Sequence, residues 1–338
     1  MKKEAILYQK LEGGKVRCKL CNHACIIPEG KRGICGVREN IGGKLYSLVY
    51  EKAISACIDP IEKKPLYHFL PGSKSFSIAT IGCNFRCKHC QNWEISQAGK
   101  KDGKIIGKTL KIQDIVREAL ATGCKSISYT YTEPTIFMEY ALDTASLAKE
   151  NGLRNVFVTN GYMSLEAIDL MTGLIDAANV DLKAFSDKFY REICSARLDP
   201  VLESIKYMKR KGIWIEITTL IIPTLNDSKN ELREIAEFIA SEVGKETPWH
   251  VTRFHPDYQL LDLPPTDFET LQMARDIGLD SGLKYVYAGN VPPGEWDNTY
   301  CPNCGYLLIE RDIFTIKRNS IKDGKCPSCS YKVEGIWK

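Results

Sequence analysis

The sequence predicts an α/β protein, built as an open, partial (β/α)6 barrel with a cysteine-rich segment on either side. Two observations carry this. From about residue 75, short β-rich apolar runs alternate with segments of helical period, and most of the fourteen cysteines fall into three groups. The 338 residues suffice for one large and one or two small domains. We therefore divide the chain into an N-terminal Cys-rich extension at 1–74, a barrel at 75–298 and a four-Cys metal-binding module at 299–338.

The barrel is predicted from six strand–helix units, because parallel strands need crossover connections. The predicted strands are Ser77–Ile81, Ser126–Thr130, Asn155–Thr159, Asn179–Leu182, Trp214–Leu220 and His250–Phe254, with an extra strand at Tyr285–Ala288. The predicted helices lie near Ile112–Ala121, Ile136–Glu150, Leu165–Met171, Pro200–Lys211, 229–243 and Thr266–Ile277. A closed TIM barrel needs eight such units, so the barrel is expected to be TIM-like but open.

Composition limits the setting in which this chain works. The net charge of +4 is small for this length and argues against nucleic acid or an anionic membrane as a partner. The N-terminus lacks the apolar core of a signal peptide, and no apolar run is long enough to span a bilayer. We expect a cytoplasmic protein, and in a reducing compartment clustered cysteines indicate metal sites rather than disulfides.

The central motif is the run Cys83-Asn84-Phe85-Arg86-Cys87-Lys88-His89-Cys90, directly after the first predicted barrel strand. Thiolates select iron–sulfur clusters, zinc or copper(I). A cubane usually takes four cysteines, so three would leave one iron open to another ligand. A zinc knuckle with a remote fourth ligand is the alternative, which the preceding strand and the following barrel pattern disfavour. Functional loops of such barrels lie at the carboxyl ends of the strands.

This run resembles the Cys-x3-Cys-x2-Cys signature of the radical S-adenosylmethionine (SAM) superfamily. The resemblance implies that Cys83, Cys87 and Cys90 bind a [4Fe-4S] cluster, whose open iron is chelated by SAM. It also implies reductive cleavage to a 5′-deoxyadenosyl radical, driven by a donor such as reduced ferredoxin or flavodoxin. His89 departs from the aromatic residue that the superfamily usually has before the last cysteine.

Within the superfamily, the chain is most similar to activating enzymes of glycyl radical enzymes, such as the pyruvate formate-lyase activating enzyme. The N-terminal cysteines together with residues 83–93 also resemble the AmmeMemoRadiSam subgroup. The resemblance implies an oxidoreductase that takes hydrogen from a glycine of a protein partner. Radical modification of a small molecule or RNA is the alternative. A zinc-ribbon nucleic-acid-binding protein is disfavoured by the small net charge and the intact cysteine triplet.

The same resemblance suggests SAM-binding residues at the ends of three strands. Glu133-Pro134 matches the end of a Gly-Gly-Glu-Pro segment that binds the SAM amino group, with Tyr131 and Thr132 in place of the glycines. An acid at the start of a helix is the structural alternative for Glu133.

Three further residues lie at the ends of the next two strands. Asp181 and Lys183 share one face of the fourth strand and resemble an Asp-x-Lys pair that contacts SAM; an ion pair at the barrel mouth is the alternative. Asn160, after the third strand, could hold a polar part of SAM or only form a turn. Of the two histidines in and after strand six, His255 rather than His250 is expected in the cleft.

Two four-cysteine groups complete the list of candidate ligands. The first, Cys18, Cys21, Cys25 and Cys35, suits zinc or a second iron–sulfur cluster. The second forms two Cys-Pro-x-Cys knuckles typical of a zinc ribbon or a rubredoxin-like site with zinc or iron, at Cys301, Cys304, Cys326 and Cys329. We expect this module to be structural and separable from the barrel. The isolated Cys57, Cys124 and Cys194 are expected to be small buried residues rather than ligands.

Overall fold

A computed structural model describes residues 2–100, 103–292 and 294–338. The N-terminal part consists of short strands: β1 (Lys3–Glu4), β2 (Tyr8–Lys10), β3 (Val16–Cys18), β4 (Ile26–Ile27), β5 (Arg38–Ile41), β6 (Lys44–Ser47) and β7 (Lys52–Ala53). They form antiparallel sheets in the orders β1-β6-β5 and β2-β3-β4, and β7 pairs with a later strand, β10 (Lys108–Thr109).

The central sheet has eight strands in the described part of the chain, in the order β16-β15-β14-β13-β12-β11-β9-β8. All neighbours are parallel except β8 and β9, which are antiparallel. The strands are β8 (Ser55–Pro60), β9 (Lys74–Ala79), β11 (Ser126–Tyr129), β12 (Arg154–Thr159), β13 (Ala177–Asp181), β14 (Trp214–Ile221), β15 (Trp249–Arg253) and β16 (Val286–Gly289); β10 (Lys108–Thr109) lies outside this sheet. Because the order runs from β16 to β8 without closing, the sheet is the expected open barrel.

Helices connect the parallel strands. They are α1 (Trp93–Ser96), α2 (Ile112–Ala121), α3 (Met138–Glu150), α4 (Leu165–Met171), α5 (Asp187–Phe189), α6 (Asp199–Arg210), α7 (Lys229–Phe238) and α8 (Phe268–Asp280). The side chains of Ser164, Ser228 and Asp267 cap α4, α7 and α8 by accepting a backbone N–H of the first turn. The helix predicted to reach residue 243 becomes π-helical over Ile239–Gly244.

Residues 61–70 fill the barrel near the amino ends of its strands. Ile61, Leu66 and Phe69 pack in one cluster with residues of β12 and β13. The buried Glu216 on β14 accepts the backbone N–H groups of this segment at 2.9 and 2.8 Å. The sheet thus begins at β8, inside the range assigned to the N-terminal extension, and the division into three domains stays a prediction.

The C-terminal residues form the antiparallel sheet β17 (Thr299–Tyr300), β18 (Leu307–Asp312) and β19 (Thr315–Asn319). It packs against Tyr67, which follows β8, and against Tyr287 on β16. Since β8 and β16 end the central sheet on opposite sides, this module covers the open side of the barrel. No helix among the described residues is long and apolar enough to cross a membrane.

Candidate active site

The loop with Cys83, Cys87 and Cys90 follows β9 at the carboxyl edge of the central sheet. The backbone N–H groups of Arg86 and Lys88 donate to carbonyls at the end of the π-helical segment Tyr190–Cys194, both at 3.0 Å. This backbone pairing fixes the position of the loop, so the three thiols are held by main-chain geometry rather than by side-chain packing alone.

A cleft of about 750 Å³ opens over this loop, a size typical of ligand pockets. Its lining includes every residue at which the sequence predicts the cluster or SAM: Cys83, Cys87, Cys90, Glu133, Asn160, Asp181 and Lys183. The parallel register of β9, β11, β12 and β13 brings these residues together, because it aligns the carboxyl ends of the strands.

Glu133 is buried, and its carboxylate is held by four donors. Oε1 accepts the Thr135 N–H at 3.0 Å and the hydroxyls of Thr135 and Thr159 at 2.5 and 2.7 Å. Oε2 accepts the Asn160 N–H at 2.8 Å. Burial raises the pKa of Glu133, and these donors oppose the rise. The carboxylate caps the turn Pro134–Phe137, so the structural alternative is realised, while one lone-pair direction of Oε2 is left for a ligand.

Tyr131 follows the backbone course that a glycine would favour, with φ of +64°. Its hydroxyl donates to Asp59, and the Lys64 ammonium lies 4.4 Å from its ring centre. Lys64 also donates to Asp59 at 2.7 Å. Tyr131 therefore adopts a turn that glycine would favour and contacts the buried ion pair of Asp59 and Lys64, of which Lys64 lines the cleft.

Asn160 ties the end of β12 to the cysteine loop. Its Nδ2 donates to Oδ1 of Asn84 at 2.8 Å and lies 3.9 Å from the Cys83 sulfur. Its Oδ1 accepts the Tyr162 N–H at 3.1 Å, which closes the turn. The turn is therefore formed by this side chain, which also contacts the cysteine loop, and its contact with SAM stays a prediction.

Asp181 and Lys183 form an ion pair of 2.8 Å at the end of β13. Burial alone would lower the pKa of Lys183, but Asp181 and the nearby thiols of Cys87 and Cys194 raise it. Lys183 therefore stays cationic beside the cysteine loop, and Asp181 keeps an exposed edge toward the cleft, with 36% of its side chain accessible.

Two features of this region were missed by sequence reasoning. Cys194 lies beside the loop: its sulfur, the Cys87 sulfur and a ring nitrogen of His89 lie within 4.8 Å of one another. Nothing in the sequence signals this, because the contact arises from the π-helical segment. The second feature is that His250 lines the cleft. His255, which was expected there, does not line it, and its side chain is exposed.

The C-terminal cysteines converge as expected. The sulfur of Cys301 lies 3.6 Å from that of Cys329, and that of Cys304 lies 3.8 Å from that of Cys326. All four sulfurs lie within 4.8 Å of one another. This spacing fits four thiolates around one tetrahedral ion, zinc or iron.

The expectation of a separable module does not agree with its interface. Arg311 on β18 is 3% exposed and donates to the Asp297 and Tyr67 carbonyls at 2.8 and 2.9 Å. Ile313 and Phe314, at the turn between β18 and β19, line the cleft itself. The module is therefore part of the wall of the site.

Comparison with known proteins agrees with this geometry. The model of the radical SAM superfamily matches residues 77–239, which begin in β9 and include the cysteine loop. The chain belongs to the radical SAM superfamily. The uncharacterized protein MJ0808 of Methanocaldococcus jannaschii is 50% identical over 98% of this chain and 99% of its own length.

More distant relatives of this radical SAM protein have named activities. The pyruvate formate-lyase-activating enzyme of Clostridium pasteurianum is 26% identical over 56% of this chain and 83% of its own. A structure of Streptococcus suis SuiB bound to S-adenosylmethionine superposes with a TM-score of 0.51 at 14% identity, over 74% of this chain and 60% of that one. That likeness supports the fold alone.

The residues around the loop fit the [4Fe-4S] cluster and SAM that the superfamily implies. Buried Asn84 Nδ2 and His89 Nδ1 have no hydrogen-bond partner among the described residues, and a group bound over the loop would give them one. Burial raises the pKa of the Cys83 and Cys90 thiols, so thiolates here need the positive charge of iron. Asn160 and Ser96, which lies 3.3 Å from the Cys90 sulfur, offer donors to cluster ligands.

Proposed function

We propose that this chain reductively cleaves SAM at a [4Fe-4S] cluster held by Cys83, Cys87 and Cys90. The observation that carries this proposal is that three strand ends bring the cysteine loop, Glu133 and Asp181 to one cleft. When bound, the reduced cluster supplies one electron to the sulfonium, and cleavage gives methionine and a 5′-deoxyadenosyl radical. The electron comes from a low-potential donor such as reduced ferredoxin or flavodoxin.

The residues of the chain bind and orient the cofactor in this proposal. The two carboxylates suit the SAM ammonium group, because charge-assisted hydrogen bonds are the stronger ones. Asn160 fixes the cysteine loop against β12, and Lys183 supplies a positive charge next to the thiolates. His89 stays neutral, because burial and then Lys183 lower its pKa to about 3.

We further propose that the radical takes hydrogen from a protein partner, as in an activating enzyme. The similarity to the pyruvate formate-lyase-activating enzyme supports this. So does the cleft wall, where Ile313 and Phe314 are apolar and 47% and 39% exposed, a surface suited to a polypeptide segment.

The first test concerns SAM cleavage. Anaerobically reconstituted protein, dithionite and SAM should give 5′-deoxyadenosine, and SAM should alter the EPR signal of the reduced protein. Replacing Cys83, Cys87 and Cys90 together by alanine should abolish both, while replacing the exposed Cys57 should abolish neither. An unchanged SAM-responsive signal in the triple variant would show that the cluster lies elsewhere.

The second test concerns the substrate class. Protein, RNA and small-molecule fractions from cells grown in deuterated medium are each incubated with the reduced enzyme and unlabelled SAM. We expect deuterium in 5′-deoxyadenosine with the protein fraction and a glycyl radical EPR signal in that sample. Transfer from the small-molecule or RNA fraction alone would replace the activating role by the alternative chemistry.

A further inference from the structure

The two four-cysteine groups differ in how closely their sulfurs approach. Four thiolates on one zinc ion, each about 2.3 Å from the metal, are spaced about 3.8 Å apart. The C-terminal group has this spacing, with sulfur–sulfur distances of 3.6 and 3.8 Å. It provides an internal standard for a single-ion site in the same chain.

The N-terminal group does not have the single-ion spacing. All four of these cysteines belong to the described part of the chain, but their sulfurs are not all within 4.8 Å of one another. Nevertheless, the four residues line one small cavity of about 20 Å³: Cys18, Cys21, Cys25 and Cys35. The four cysteines of a cubane each bind a different iron, and their sulfurs are correspondingly further apart.

The backbone holds this wide arrangement in place. Cys18 ends β3, and its N–H donates to the Cys25 carbonyl at 2.9 Å. Cys35 lies in a tight turn closed by the Gly36 N–H and the Gly33 carbonyl. A Cβ on Gly33 would lie 3.7 Å from the Cys25 sulfur, so the turn closely approaches the chain just before β4. The spacing therefore follows from the fold of the main chain.

A buried donor without a partner lies at the same cavity. Arg38 lines it and is 2% exposed. Two of its guanidinium nitrogens donate to Glu139 at 2.8 and 2.7 Å, but Nε has no hydrogen-bond partner in the described part of the chain. Buried donors are rarely left unpaired, and cluster sulfurs accept hydrogen bonds.

The cavity also lies directly behind the radical SAM loop. A Cβ on Gly82 would lie 2.7 Å from the Cys35 carbonyl oxygen, so the segments before Cys83 and around Cys35 are in contact. His23 Nε2 donates to the Asn84 carbonyl at 2.8 Å. A group in this cavity is thus packed against the loop that carries the radical SAM cysteines.

We propose that Cys18, Cys21, Cys25 and Cys35 bind a second [4Fe-4S] cluster rather than zinc. The site is complete, because four cysteines occupy all four irons and leave no position for SAM. The proposal does not depend on the substrate of the radical.

Acid-labile sulfide distinguishes the metals, because neither zinc nor a single iron at the C-terminal knuckles contains sulfide. We compare anaerobically reconstituted wild type with the triple variant in which Cys83, Cys87 and Cys90 are alanine. The variant should keep about half of the wild-type sulfide. After reduction it should also show an EPR signal that SAM does not change. A triple variant without sulfide, with zinc bound at the N-terminal cysteines, would overturn the proposal.

The converse variant replaces the four N-terminal cysteines by alanine. It should also lose about half of the sulfide but keep the SAM-responsive signal. Cys57→Ala is the matched control and should keep both the full sulfide content and the SAM-responsive signal. If the converse variant does not fold, the triple variant decides alone. Failure of the proposed SAM chemistry would look different, because SAM would then change no signal while the sulfide content stayed as expected.

Discussion

At the scale of single residues, Glu133 shows how one carboxylate can both build and serve a site. Its four donors come from the turn after β11 and from the end of β12, so the charge joins two neighbouring strand ends. The Asn160 side chain in turn donates a hydrogen bond to Asn84 and so links the end of β12 to the cysteine loop. The carboxylate of Glu133 is therefore already fixed in position before a ligand binds to its remaining lone pair. This lowers the entropy cost of binding.

Glu133→Gln should weaken SAM binding without loss of the cluster. The amide can keep the acceptor oxygen toward Thr135 and Thr159, but its NH2 group then faces the Asn160 N–H. Removing a charged acceptor should cost roughly 1.5–3 kcal/mol of SAM binding free energy, measured by calorimetry on the reconstituted protein. Glu150→Gln, at an exposed position at the end of α3, is the control. Wild-type affinity in the Glu133 variant would rule out a role in SAM binding.

At the scale of elements, the segment 61–70 joins the barrel to the C-terminal module through His68. Nδ1 of His68 donates to the Glu334 carbonyl at 2.7 Å, so Nε2 accepts the Tyr287 hydroxyl at 2.6 Å. Tyr287 in turn contacts the Thr299 hydroxyl at 2.9 Å, to which Arg311 donates at 2.8 Å. This series of hydrogen bonds requires a neutral imidazole, and burial lowers the pKa of His68 to about 4.

This pKa predicts a loss of stability in mild acid. Unfolded His68 would have a pKa near 6.5, so below that pH the unfolded state binds more protons than the folded state. The contribution is complete above about pH 6.5 and is lost as the pH falls toward 4. Between pH 7 and 5.5 it should reduce the free energy of unfolding by about 1 kcal/mol.

Denaturant unfolding at these two pH values measures the effect. His68→Gln should remove this part of the pH dependence, while the exposed His255→Gln should leave it as in the wild type. The difference between variants also cancels the pH dependence of the metal sites. An equal pH dependence in His68→Gln and wild type would contradict the assignment of a neutral buried imidazole.

The sequence predicted the elements whose signals are local. Helices α2 and α4 have the predicted bounds, because an apolar face marks α2 and a serine caps α4. Strand β8 was missed because Ser55–Pro60 has no regular apolar alternation, is half exposed, and derives its pairing from β9. The cluster triplet and the strand-end residues were placed from motifs, whereas Cys194 and His250 reach the site through tertiary packing that no local pattern records.

At the scale of the whole molecule, the C-terminal module completes the barrel. The central sheet leaves β8 and β16 unpaired with each other, and the module packs on Tyr67, in the segment after β8, and on Tyr287 of β16. Its knuckles have the spacing of a single-ion site, so metal binding would supply the folding free energy that so small a core lacks. The same ion then indirectly holds Ile313 and Phe314 in the cleft wall.

A chain that ends at Asn298 should therefore lose stability and SAM cleavage, even with dithionite as the reductant. The truncation exposes Tyr67 and Tyr287 and removes one wall of the cleft. Full cleavage by a folded truncation that carries the cluster would show that the module is separable after all.

Arg311→Met tests the same interface in the complete chain. It removes the donors to Asp297 and Tyr67 and leaves their carbonyls buried, which should lower the free energy of unfolding by about 3 kcal/mol. Arg318→Met on β19 is the control, because that side chain is 51% exposed and its ion pair with Glu310 is worth less than about 1 kcal/mol. Denaturant unfolding gives both values, and metal analysis shows whether the knuckles stay loaded. Loss of stability with the metal retained would locate the effect at the contact between module and barrel. Equal stability of the two variants would mean that the module covers the barrel without supporting it.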